Sequence, residues 1–179
     1  ASWEHISHGC AMLGPTIALS NYIEKIYIGA TFAHEYARKI PWGSHPDVDV
    51  LVGVRSMKVI HDGFDIEKPS KIVEIAKNPD FLKFLRVCCN INIQGLNCGC
   101  CEKCYRTTVI LTLLGKSEND TPFSSGAFSL INIADYLREH SLKEDLKLAW
   151  CRNLRFIEES QVESEEKEFL IKVLRVKLE

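Results

Sequence analysis

Six of the eight cysteines fall between Cys88 and Cys104, and thiolate is the side chain best suited to hold a soft metal ion. Two residues separate Cys98 from Cys101 and Cys101 from Cys104, while nine separate Cys88 from Cys98. Two-residue gaps let consecutive thiolates curl around one point. With Cys88 as fourth ligand, the set meets zinc's demand for four donors in a tetrahedron at Zn–S distances of about 2.3 Å. Gly99 can take the positive φ that so tight a turn needs, and a helix starting at Cys104 would turn its positive dipole end toward the thiolates. Cys89 is an alternative to Cys88, and Cys100 could join a different geometry. The two equal gaps favour Cys98, Cys101 and Cys104, which leaves Cys100 pointing away. With every position taken by sulfur there is no open site for water, so the metal is structural rather than catalytic. An iron–sulfur cluster also takes four cysteines, but zinc is the usual occupant of a compact knuckle. The plain alternative, reduced cysteines packed as small hydrophobes, fits poorly with Gly99, Glu102 and Lys103 interrupting the run.

Composition sets the context for that cluster. Hydrophobic residues are 46% and charged residues 26% of the 179, an ordinary globular balance. A formal net charge of −2 gives no field that would draw the chain to nucleic acid or an anionic membrane. Lys83, Arg86, Lys103 and Arg106 surround the knuckle, but interleaved with apolar residues they read as solvated, so nucleic acid is not an expected partner. No apolar run reaches the roughly 18 residues of a membrane span, and the first residues lack the pattern of a signal peptide. Cysteines clustered in one place, rather than spread as a disulfide framework, add to an expectation of a cytoplasmic protein.

The elements that must position the cysteines follow from pattern. Residues from about Gly9 to Asn21 read as a helix with Ala11, Met12, Leu13, Ile17, Ala18 and Leu19 on its apolar face and Pro15 near a start or kink. Lys25–Ala30 and Met57–Ile60 read as strands, separated by a turn-rich stretch, Pro41–Asp47; Asp62-Gly63 marks a further turn. A helix capped by Ser70 is expected to end at Asn78-Pro79, where Asn78 caps a second helix running through Phe81, Leu82, Phe84 and Leu85 toward Cys88. The run Val109–Leu114 reads as a helix that begins in the cluster and stops at Gly115. Residues 116–127 read as a linker, and 128–179 as helical, with Ser141 and Glu144 forming a capping box and the acid-rich Glu158–Glu168 stretch a solvated face. Two parallel strands are too few for a stable open sheet, so partner strands must come from elsewhere or have escaped the pattern.

At the cysteines the sequence resembles the adenine nucleotide alpha-hydrolase superfamily, in particular the N-type ATP pyrophosphatases related to 7-cyano-7-deazaguanine synthase. The residues that carry this are Leu85-Arg86-Val87-Cys88 and Asn97-Cys98-Gly99-Cys100-Cys101-Glu102-Lys103-Cys104-Tyr105-Arg106-Thr107. Pro41-Trp42-Gly43-Ser44-His45-Pro46 and His61-Asp62-Gly63 add a weaker likeness. The resemblance spans about residues 9–115 and implies an α/β fold: a partial Rossmann-like (HUP-type) half-domain over 1–115 with a zinc knuckle at 88–104, then the linker and the C-terminal helical region. It also implies ATP-dependent adenylation with loss of pyrophosphate and C–N bond formation, using ATP and magnesium. His45, Asp47, His61 and Asp62, which follow strand ends, are the implied substrate contacts; the plain reading makes 44–47 a turn and Asp62-Gly63 a hairpin signal. The phosphate-binding Ser-Gly-Gly-x-Asp-Ser loop of that group is absent from this sequence. The chain is therefore expected to need a missing N-terminal half or a second chain and to be inactive alone. A noncatalytic zinc module that binds a protein or nucleic acid is the competing expectation.

Overall fold

The computed structural model describes residues 3–33, 42–54 and 57–179. The chain divides into two compact units, Ala1–Lys68 and Pro69–Glu179.

In the first unit, one π-helical turn, Trp3–Ser7, leads into α1, His8–Ile17. Pro15 sits inside α1, and the helix stops two residues after it rather than running to Asn21. From there the chain tightens into turns, with Leu19 N–H donating to Thr16 O and Ser20 N–H to Ile17 O. Of the expected apolar face only Leu13 is buried; Met12, Ile17 and Leu19 are exposed. The reason is the size of the core available to them: Leu13, Ile28, Met57 and Val59, with Ile26, Val52 and Val54 at its edge.

β1 (Lys25–Gly29) and β2 (Lys58–Asp62) pair in parallel, Ile26 beside Val59 and Tyr27 beside Ile60. Ile26, Ile28, Val59 and His61 therefore share one face. β2 runs two residues past the expected Ile60, and Gly63, at φ 66°, makes the turn. Of the expected turn-rich stretch, residues 42–45 are irregular, but from Pro46 the chain forms α2, Pro46–Asp49, followed by a 3-10 turn, Val50–Val52. His45 caps it: its Nδ1 accepts from Asp47 N–H at 3.2 Å, and Pro46 occupies the first helical position, where it loses no hydrogen bond. Pro41 lies outside the described residues.

The second unit is helical. α3, Lys68–Ala76, begins before Ser70, with Pro69 in its first turn in place of the expected Ser70 cap. Asn78 caps α4, Pro79–Lys83, its Oδ1 accepting from Asp80 and Phe81 N–H groups. Residues 85–101 carry no regular element. α5, Glu102–Leu113, is the axis of the core: Cys104, Val109, Ile110 and Leu111 are wholly buried. It ends as expected at Gly115, φ 72°, with Lys116 N–H on Leu111 O and Gly115 N–H on Thr112 O.

The stretch 116–127 packs as part of this unit. Phe123 and Ala127 belong to its core, and Thr108 Oγ1 donates to Ala127 O, so the break between units falls at Lys68–Pro69 and not here. A 3-10 turn, Ser125–Phe128, leads to α6 (Leu130–Glu139), α7 (Glu144–Glu159) and α8 (Glu165–Leu178). α8 packs on both α6 and α7, and α7 reaches α5. The expected capping box is not formed: α7 starts at Glu144 itself, leaving Ser141 outside the capping position. Within the acidic stretch the chain changes helix. Ser164 Oγ caps α8 by accepting from Lys167 N–H, and Glu165, Glu166 and Glu168 occupy the first turn, where the dipole favours them. Among the described residues the architecture is thus mixed, largely helical, with one two-stranded parallel sheet.

Candidate metal centre

The Sγ atoms of Cys88, Cys98, Cys101 and Cys104 all lie within 4.8 Å of one another. Cys88 to Cys101 is 3.8 Å, Cys98 to Cys104 is 3.8 Å, and Cys101 to Cys104 is 3.5 Å. A disulfide would require about 2.05 Å, so these are four separate thiols, and all are free. Four sulfurs placed about 2.3 Å from one centre at tetrahedral angles are about 3.8 Å apart. Three of the six sulfur pairs, at 3.5–3.8 Å, have the spacing of ligands around a single ion. A multi-iron cluster puts metal–metal edges between its thiolates and would hold them farther apart.

Three local features produce this convergence. Gly99 adopts φ 74°, and a Cβ there would fall 2.3 Å from Ser124 Oγ, so the turn between Cys98 and Cys101 favours glycine on both backbone and steric grounds. Cys101 is the N-cap residue of α5, which brings Cys104 one turn inside the helix and turns the helix N-terminus toward the sulfurs. Asn97 joins the irregular segment at Cys88 to the Cys98 turn. Its Oδ1 accepts from Val87 N–H at 2.9 Å and Cys88 N–H at 3.2 Å, and its Nδ2 donates to Leu85 O at 2.8 Å and Pro122 O at 3.4 Å. The segment 85–101 has no ladder or helix of its own, so this side chain supplies the backbone partners that regular structure would otherwise provide.

The thiols do not ionise equally. Burial works against the Cys98 thiolate, but the Cys100 and Cys101 backbone and the Cys101 and Cys88 thiols donate to it and hold Cys98 at about 6. Burial pushes the Cys104 and Cys101 thiols up; the Cys101 and Cys98 sulfurs add to the rise at Cys104, and at Cys101 the Cys98 and Cys88 sulfurs add to it while Cys104 opposes it. Cys100 is pushed up by burial and by Cys98. One negative charge in the cluster thus opposes the next, and a divalent cation is what allows all four to lose their protons together.

The two remaining cysteines of the run are not among the four converging thiols. Cys89 and Cys100 are exposed, and the Cys89 sulfur accepts from Lys103 Nζ at 2.9 Å. The set chosen from spacing is therefore the set that the fold gathers. Among the described residues it is the group of metal-ligating side chains that converges; His45, Asp47, His61 and Asp62 form no such group. His45 caps α2, with the Asp47 carboxylate 3.8 Å from its Nδ1. Asp62 is exposed at the end of β2, where its carbonyl accepts from Ala30 N–H.

His61 donates from Nδ1 to Asp49 Oδ2 at 2.9 Å, and Ser44 Oγ donates to the same oxygen at 2.7 Å. Asp49 is 1% exposed and was not anticipated from sequence. Its signal was an acid set in the apolar run Val48-Asp49-Val50-Leu51-Val52, a place where a carboxylate survives only with donors. Asn97, the other residue missed, is marked only by preceding the first cysteine of the turn.

Comparison with known protein families, curated proteins and solved structures finds no match to this chain. The reading of the centre rests on its own geometry. No helix of the described residues is long and apolar enough to cross a membrane.

Proposed function

We propose that the second unit is a zinc-stabilised module in which one structural ion, held by Cys88, Cys98, Cys101 and Cys104, ties the irregular 85–101 segment to α5. The observation that carries this is the sulfur spacing of 3.5–3.8 Å in three pairs, set against about 3.8 Å for a tetrahedral zinc thiolate site. A four-sulfur shell leaves no position for water or substrate, so the ion's contribution is to folding. Mutation of single cysteines tests the assignment. Cys101→Ser removes a ligand and should abolish zinc retention, whereas Cys100→Ser should leave zinc content unchanged; equal loss in both would refute the ligand set.

The wider reading is that this chain corresponds to the C-terminal part of an ATP-dependent adenylating enzyme and is inactive by itself. It is supported by the knuckle sequence and by the parallel crossover pairing of β1 with β2. Phosphate recognition needs backbone N–H groups gathered by a glycine-rich turn at a helix N-terminus, and the sequence offers no such loop. Zinc-loaded chain with ATP, magnesium and ammonium should release no pyrophosphate above a chain-free control. Turnover that is lost in His45→Ala would overturn this. A docking role for the same module is favoured by one feature, Phe81 and Phe84, which are 64% and 78% exposed and stand three residues apart on and just after α4.

A further inference from the structure

Cys89 and Lys103 lie outside the metal tetrad yet flank it. Cys89 follows Cys88, and Lys103 sits between Cys101 and Cys104. The two are 14 residues apart in sequence, and Lys103 Nζ lies 2.9 Å from Cys89 Sγ. Both residues are exposed, so a small oxidant can reach the sulfur while the four converging thiols are half-buried or buried. We infer that Cys89 and Lys103 form an oxidant-driven covalent S–N crosslink that locks the two cysteine-bearing segments of the knuckle together.

The chemistry needs one equivalent of a peroxide. The Cys89 sulfur attacks one peroxide oxygen, the O–O bond breaks, and sulfenic acid and water form; sulfur is oxidised by two electrons and peroxide is reduced. Sulfenic acids condense with nearby nitrogen nucleophiles to give sulfenamides. Lys103 Nζ, after yielding its ammonium proton to solvent, attacks the sulfur as the S–O bond breaks. The departing hydroxide takes the second nitrogen proton and leaves as water. In sum, one thiol, one amine and one hydrogen peroxide give one S–N bond and two waters. The 2.9 Å contact already places nucleophile and sulfur at near-attack separation, so no loop closure opposes the second step.

The consequence is mechanical. The new bond joins the residue beside Cys88 to the residue between Cys101 and Cys104, so opening the knuckle no longer separates its halves. This inference goes beyond the metal reading and does not depend on which ion the tetrad holds. The test is peptide mapping of the purified full chain after hydrogen peroxide at mildly alkaline pH, with denaturing alkylation and trypsin but no reductant. Trypsin does not cut after a modified lysine, so the expected product is the peptide Val87–Arg106, intact at Lys103, with five of its six cysteines alkylated. It should be about 2 Da lighter than the same peptide carrying one free thiol, should disappear on dithiothreitol treatment, and should be absent from Cys89→Ser and Lys103→Arg. Normal cleavage after Lys103, with Cys89 recovered as sulfinic acid or in a disulfide, would overturn the inference. So would a peptide spanning residues 87–103 from Lys103→Arg that is about 2 Da light with four of its five cysteines alkylated.

Discussion

Replacing Asn97 by alanine removes one side chain and four hydrogen bonds from a segment that has no regular structure to fall back on. The bonds to Val87 N–H and Leu85 O are short, at 2.9 and 2.8 Å, while those to Cys88 N–H and Pro122 O are longer, at 3.2 and 3.4 Å. Taking about 1 kcal/mol for each short bond and about half that for each long one gives about 3 kcal/mol. Because Asn97 is half-buried, water repairs part of this, and because four backbone groups lose a partner, orphaned polarity restores part; a range of about 2–4 kcal/mol results. The loss should appear twice: as a lower urea midpoint for the zinc-loaded chain, and as faster zinc transfer to a chromogenic chelator, since Cys88 is no longer held beside the Cys98 turn. Asn97→Asp keeps the acceptor but sets a carboxylate oxygen against the Leu85 and Pro122 carbonyls, so it should be no better than alanine. A change in stability below about 0.5 kcal/mol, with unaltered zinc transfer, would refute the claim that this side chain organises the segment.

Gly99→Ala places a methyl in the space of Ser124 Oγ at a backbone φ of 74°, so zinc-loaded stability should fall by about 1–3 kcal/mol, and Ser124→Gly should restore the steric part but not the conformational part. Urea titration of the two single variants and the double variant separates the terms. Proton release on zinc binding should depend on pH with a definite sign. Above about 6 Cys98 has already lost its proton, so fewer than four are released. As pH falls through about 6 the count rises toward four and zinc affinity drops more steeply. Calorimetry in buffers of different ionisation enthalpy measures this; a count independent of pH would contradict the ordering of the thiols.

What the sequence made legible was whatever local chemistry decides. The two-residue cysteine gaps, the Asn78-Pro79 helix start and the Gly115 stop are each set by a few adjacent residues, and each is found where expected. Ser141 and Glu144 had equally good local chemistry, but the helix begins at Glu144, so the motif has the right residues in the wrong frame. Residues 116–127 read as a linker because Ser, Asn, Pro and Gly make up half of them; Phe123 and Ala127 in the core, with buried Thr121 beside them, fix the stretch in place, and composition averages over such anchors. Met12, Ile17 and Leu19 matched a helix period yet remain exposed, since periodicity reports what a helix can bury and not whether a partner surface exists. Asp49 and Asn97 act through contacts with residues 12 and 25 positions away, a distance no local pattern registers.

The central claim is that four thiolates hold one ion. Elemental analysis of the natively purified chain, prepared without chelator, measures it directly, and about one zinc per chain is expected. Less than a few tenths of an equivalent, together with a fold that chelators do not disturb, would contradict it.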